Sequence, residues 1–88
     1  LVINNNVADD GGAIYSWHGD LAISESILNN NNASTSGGAI YSWGDLTIYD
    51  STLNENTAVY GGGMFIYGGT KTLNNCTLMD NEPNNFYG

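Results

Sequence analysis

Apolar and polar positions along this chain recur as one pattern repeated three times. Gly11-Gly12-Ala13-Ile14-Tyr15-Ser16-Trp17 returns as Gly37-Gly38-Ala39-Ile40-Tyr41-Ser42-Trp43, and again as Gly61-Gly62-Gly63-Met64-Phe65-Ile66-Tyr67. An apolar pair follows each of the first two (Leu21 and Ile23, Leu46 and Ile48), and Leu73 follows the third. Then come Ser26-Ile27-Leu28, Ser51-Thr52-Leu53 and Cys76-Thr77-Leu78. Self-similarity at about 25 residues marks a stacked-repeat architecture in which each unit buries its apolar face against its neighbours.

Within each repeat the alternation has period two, as in Ile14-Tyr15-Ser16-Trp17 and Leu46-Thr47-Ile48. Paired glycines with β-branched and aromatic residues argue against helix. Three short strands joined by turns predict one triangular coil, and successive coils pair in parallel about 4.8 Å apart. The fold class is therefore all-β: a right-handed parallel β-helix (β-solenoid) of about three and a half coils. The coils read as a partial one over 1–10, then 11–36, 37–60 and 61–87, forming a single segment over 1–88.

The alternation predicts inward columns of Ile14, Ile40 and Met64; of Leu21 and Leu46; of Ile23, Ile48 and Leu73; and of Ile3, Leu28, Leu53 and Leu78. Ala8, Ala33 and Ala58 close the coil where space is tight. Asn6, Asn31, Asn56 and Asn81 form an Asn ladder at a corner, where stacked amides bond one another and cap turn backbone. Unequal repeat lengths, such as His18 in the first repeat or Ser34-Thr35-Ser36 against Val59-Tyr60, are expected at corners.

Gly-Gly-Ala-Ile with this following segment resembles the repeats of chlamydial polymorphic outer-membrane proteins and kindred parallel β-helix surface proteins, whose signatures are GGAI and FxxN. The first signature is Gly11–Ile14, Gly37–Ile40 and, altered, Gly61–Met64. The second reads Ile3…Asn6, Leu28…Asn31, Leu53…Asn56 and Leu78…Asn81, with an aliphatic residue in place of Phe in all four. The resemblance implies the coil and a secreted or cell-surface setting. It does not fix the function, since such coils serve adhesins, autotransporter passengers, polysaccharide-cleaving enzymes and fibres.

Composition narrows the chemistry. Asn (14) and Gly (12) lead the 88 residues, which suits a chain of tight turns. Nine acids face the single base Lys71, for a net charge of −8. With no basic patch, nucleic acid is not expected as a partner and anionic membrane surfaces are disfavoured, and no apolar run is long enough for a membrane span. Cys76 has no disulfide partner and occupies the place of Ser26 and Ser51, so it reads as a small tucked-in side chain. Catalysis is not expected within these residues. There is no Arg, Lys71 lies in an inserted stretch, His18 has no repeat equivalent, and Asp9-Asp10 precedes a Gly pair in a turn.

Two candidate sites remain. Asp20 lies over Asp45 and Glu25 over Asp50, one coil apart, and a hard cation such as Ca²⁺ would relieve the repulsion of stacked carboxylates. The preferred alternative is that these acids point apart into water, and no other cofactor is expected. The aromatic columns Tyr15, Tyr41 and Phe65, and Trp17, Trp43 and Tyr67, fall on the outer face if Ile14 and its equivalents point inward. Six aromatics there form an interaction face for a protein contact or, less favoured, for glycans. The glycosylation patterns at Asn32-Ala33-Ser34 and Asn75-Cys76-Thr77 overlap or abut structural positions and are discounted.

The expectation is a structural or adhesive solenoid segment, extracellular or at the cell surface. The alternative is a carbohydrate-active protein, either a sugar-binding stretch or a fragment of a polysaccharide lyase or hydrolase. The first and last repeats, Leu1 and Gly88 included, read as cut across a coil. Flanking coils of a longer chain, or end-to-end association with other copies into a filament, are the expected partners.

Overall fold

A computed structural model describes residues 2–17 and 19–87, leaving the readings at Leu1, His18 and Gly88 outside the described residues. The thirteen strands are β1 (Val2–Asn4), β2 (Val7–Asp10), β3 (Ile14–Ser16), β4 (Leu21–Ser24), β5 (Ile27–Asn29), β6 (Asn32–Ser36) and β7 (Ile40–Ser42), then β8 (Leu46–Tyr49), β9 (Thr52–Asn54), β10 (Met64–Ile66), β11 (Lys71–Asn74), β12 (Thr77–Met79) and β13 (Phe86–Tyr87). No helix occurs among the described residues. Three faces of the coil are parallel sheets, ordered β1-β5-β9-β12, β13-β10-β7-β3 and β11-β8-β4. The result is a parallel β-solenoid of about three turns with a coil of about 25 residues.

A fourth, two-stranded sheet, β2-β6, extends the expected three strands per coil in the first two turns. Asp9-Asp10 and Ser34-Thr35-Ser36 thus lie on paired strands instead of in turns. The unequal length is absorbed here: the register shifts between Ala8 and Asp10, so that Asp10 pairs with Ser36. In the third turn only the bridges Asn32–Thr57, Ser36–Tyr60 and Thr57–Glu82 remain.

The expected columns are inward and in register. Ile14, Ile40 and Met64 pair successively, as do Ile3, Leu28, Leu53 and Leu78. Leu28, Ile40, Leu46, Ile48, Leu53 and Met64 are fully buried, whereas Ile3, Ile14, Leu21, Leu73 and Leu78 at the two ends are half-covered. Each inner column member has a neighbour on both sides; an end member has one.

Lys71 is not in an insertion. It pairs with Leu46 and completes the column Leu21-Leu46-Lys71, because Gly68-Gly69-Thr70 fills the corner that Gly44-Asp45 fills one coil earlier. Its ammonium sits 3.2 Å from the centroid of the Phe86 ring. Phe86 in turn pairs with Met64 and extends that inward column.

The Gly-Gly motif follows from the corner it makes. Gly37 adopts φ +66°, the left-handed region in which a Cβ is costly. Gly38 lies where the next coil passes closest, and a Cβ there would run into the carbonyl oxygen of Gly62 and the backbone of Thr57.

Candidate functional site

Two ladders run along the coil axis, one inside and one outside. In the inner ladder, Asn31 Oδ1 accepts both the backbone N–H (3.2 Å) and the amide group (3.0 Å) of Asn6. Asn56 Oδ1 takes the same pair from Asn31, at 2.9 and 3.0 Å. Asn81 Oδ1 takes it from Asn56, both at 2.9 Å. The second amide hydrogens go to carbonyls of the preceding coil: Asn31 to Ile3, Asn56 to Leu28 and Asn81 to Leu53. Buried polar groups are costly unless paired, and this pairing is what lets Asn31, Asn56 and Asn81 lie in the interior. A smaller corner does the same job where Ser26 N–H donates to Ser51 Oγ. There Cys76 takes the serine place and its thiol donates to the Ile48 carbonyl, as the tucked-in reading expects.

Each polar corner is set by a left-handed residue just before it. Asn5, Asn30, Glu55 and Asp80 precede the Asn ladder with φ between 56° and 59°. Glu25, Asp50 and Asn75 precede the Ser-Ser-Cys corner with φ of 48°, 53° and 54°. Asn and Asp tolerate this conformation because their short polar side chains bond locally. Asp50 fits this rule, and its Oδ1 accepts the Asn75 amide at 2.7 Å. Asp45 Oδ1 accepts the Thr70 N–H at 2.8 Å, and Asp20 is exposed beside it one coil earlier. Among the described residues no three His, Cys, Asp or Glu side chains come together to hold a metal. Of the discounted glycosylation patterns, Asn75 is this corner residue and Asn32 lies on β6.

The outer ladder stands on the sheet of β3, β7, β10 and β13. Strand alternation turns Ile14 and Ser16 inward and Tyr15 and Trp17 outward, and the register repeats this in each coil. Tyr15, Tyr41 and Phe65 stack at ring-centroid distances of 4.9 and 5.2 Å, with interplanar angles of 5° and 6°. Tyr87 continues the column at 5.0 Å and 7°, and Tyr60 leans on it at 5.6 Å. Neither Tyr87 nor Tyr60 was legible as part of this face: Phe86-Tyr87 lacks the Gly-Gly-Ala lead-in and falls early for the repeat. An aromatic pair at alternating in/out positions was the available signal.

The second column differs in geometry. Trp17 and Trp43 meet at 4.4 Å and 61°, and Trp43 and Tyr67 at 4.3 Å and 43°. Tyr15, Trp17 and Tyr67 are each about half exposed, while Tyr41, Trp43 and Phe65 are partly covered by their neighbours. Burial first, then the neighbouring Tyr15, Asp10 and Tyr67, pushes the Tyr41 phenol above its usual range. No cavity opens beside this face or elsewhere among the described residues.

Fold and ladders together define a repeat-built parallel β-solenoid with a polar-laddered interior. Residues 1–16 and 25–42 match the Chlamydia polymorphic membrane protein repeat, so the repeats of this chain are similar to those of that family. Both matched segments run from an inward aliphatic residue through a ladder Asn to a Gly-Gly corner. The third corner departs from the pattern, because Gly63 replaces Ala39 where a Cβ would meet the Asn85 carbonyl. No curated protein and no solved structure matches the chain.

Proposed function

We propose that this chain is a structural and adhesive solenoid segment of a secreted or surface-displayed protein, a rigid stack that holds an aromatic contact face outward. The observation that carries this reading is the division of labour between the two ladders. The interior amides are spent on stacking the coils, whereas a continuous strip of rings is left on the outer face. The similarity to a membrane-protein repeat family supports the surface setting. Protease treatment of intact cells that make the protein should cleave it; protection until the cells are lysed would overturn the surface reading.

The half-covered columns at both ends fit stacking against further coils, from the same polypeptide or from another copy. The isolated 88 residues should therefore sediment as polymer. A monodisperse monomer at micromolar concentration would contradict end-to-end association.

A further inference from the structure

The outer aromatic strip has acidic margins. Upstream, β2 delivers Asp9 and Asp10 just before the Gly-Gly corner that opens β3. Downstream, Asp20 and Asp45 follow Trp17 and Trp43 at the next corner. Asp9, Asp20 and Asp45 are exposed, and Asp9 Oδ1 accepts the Ser34 hydroxyl. Carboxylates thus flank the strip upstream in its first coil and downstream in its first two, in a chain of net charge −8.

From this we propose that the outer face of β3, β7, β10 and β13 docks an extended, arginine- or lysine-bearing segment of a partner protein. The inference rests on the reading of this face as an outward contact surface. Its chemistry follows from how the rings are spent. Nearly parallel rings about 5 Å apart give their faces to each other, so the Tyr15-Tyr41-Phe65-Tyr87 column offers edges and hydroxyls. The Trp17-Trp43-Tyr67 column is tilted, and Trp17 and Tyr67 keep about half of their surface exposed. An indole face is the strongest side-chain acceptor for a cation, and carboxylates at the margins add attraction and steering. The chain's own base shows the same preference, with Lys71 seated over Phe86.

Charge complementarity separates this occupant from the others. A second copy brings another eight negative charges and a single base that is already engaged. Sugar rings dock on aromatic faces, which the first column has given to its neighbours, and a neutral glycan draws nothing from the carboxylates at the margins. The four-ring column spans about 15 Å, so the docked segment is about five extended residues.

The test uses the immobilised full chain, with the emission of its two tryptophans, both in the strip, as readout. The probes are a peptide alternating arginine and serine, its citrulline counterpart, and cellohexaose. The arginine peptide should bind and shift the emission, with the citrulline peptide at least about tenfold weaker. Trp43→Ala should weaken binding about tenfold with an unchanged β signal in circular dichroism. Asp20→Asn with Asp45→Asn should weaken it about threefold, while Glu25→Gln with Asp50→Asn, at a different corner, should change it less than about twofold. Equal binding of the two peptides, or equal losses from both acid pairs, would overturn the proposal. So would binding of cellohexaose in the peptide's place, or lateral association of copies that Trp43→Ala abolishes. If the peptide fails while intact cells still expose the segment to protease, the docking proposal falls and the surface reading stands.

Discussion

The Asn ladder and the aromatic ladder are built by the same repeat and climb the same coils, yet they stand in opposite relation to solvent. Asn31, Asn56 and Asn81 are buried and bonded to the coil on either side or to its backbone. Tyr15, Trp17, Tyr67 and Tyr87 are about half exposed and stack on the next rings of their own columns. Repetition alone therefore does not distinguish a column that holds the coil together from one that is carried on it. Burial does, because an interior amide that loses its partner has no water to replace it.

The comparison breaks most sharply at Asn56. Asn56→Ala removes the acceptor for two Asn31 donors and leaves Asn81 Oδ1 and the Leu28 carbonyl short of partners. A loss of about 3–5 kcal/mol in urea unfolding is expected, enough to leave a chain of this size largely unfolded. Gly38→Ala should cost about 2–3 kcal/mol, since the added Cβ meets the Gly62 carbonyl and the backbone of Thr57, and backbone yields less readily than a side chain. Thermal melting of that variant measures how tightly the coils close at the corner.

A third prediction sharpens the outer side. The Tyr41 phenol lies above its usual range in the fold, so the native state holds its proton where the unfolded chain has released it. Below about pH 10 both states are neutral and Tyr41 contributes no pH dependence; as pH rises from there toward the raised native value, stability falls. Tyr41→Phe should remove that part of the alkaline loss and leave the neutral-pH melting temperature nearly unchanged. The smallest effect is expected at Glu55, the one Glu among the left-handed residues that precede the Asn ladder. Glu55→Asn, matching Asn5 and Asn30, should stabilise the chain by about 0.5 kcal/mol in the same unfolding assay.

Most of the coil was legible because stacking forces equivalent residues into register, and register is visible as spacing. Leu28 over Ile3 and Asn56 over Asn31 follow from the interval alone, as does the outward turn of Tyr15 and Trp17 once Ile14 faces in. The repeat interval varies between the ladder Asn and the Gly pair (Asn6 to Gly11, Asn31 to Gly37, Asn56 to Gly61), and there the expected turn is a paired strand with a shifted register. Lys71 was misplaced for a related reason. A charged residue in an apolar column reads as an insertion until the ring that covers its ammonium is known, and Phe86 is 15 residues further along. Spacing reports that Glu25 and Asp50 stack, but it does not carry the left-handed φ that both adopt.

The claim that the interior ladder holds the coil while the outer ladder is carried on it is tested most directly by urea unfolding of Trp43→Ala beside Asn56→Ala. Trp43 has ring contacts on both sides, so its removal should cost about 1–2 kcal/mol and leave the β signal intact. Asn56→Ala should cost at least about twice as much. A Trp43→Ala variant that unfolds as readily as Asn56→Ala, or more readily, would contradict the account and make the aromatic ladder part of what holds the fold.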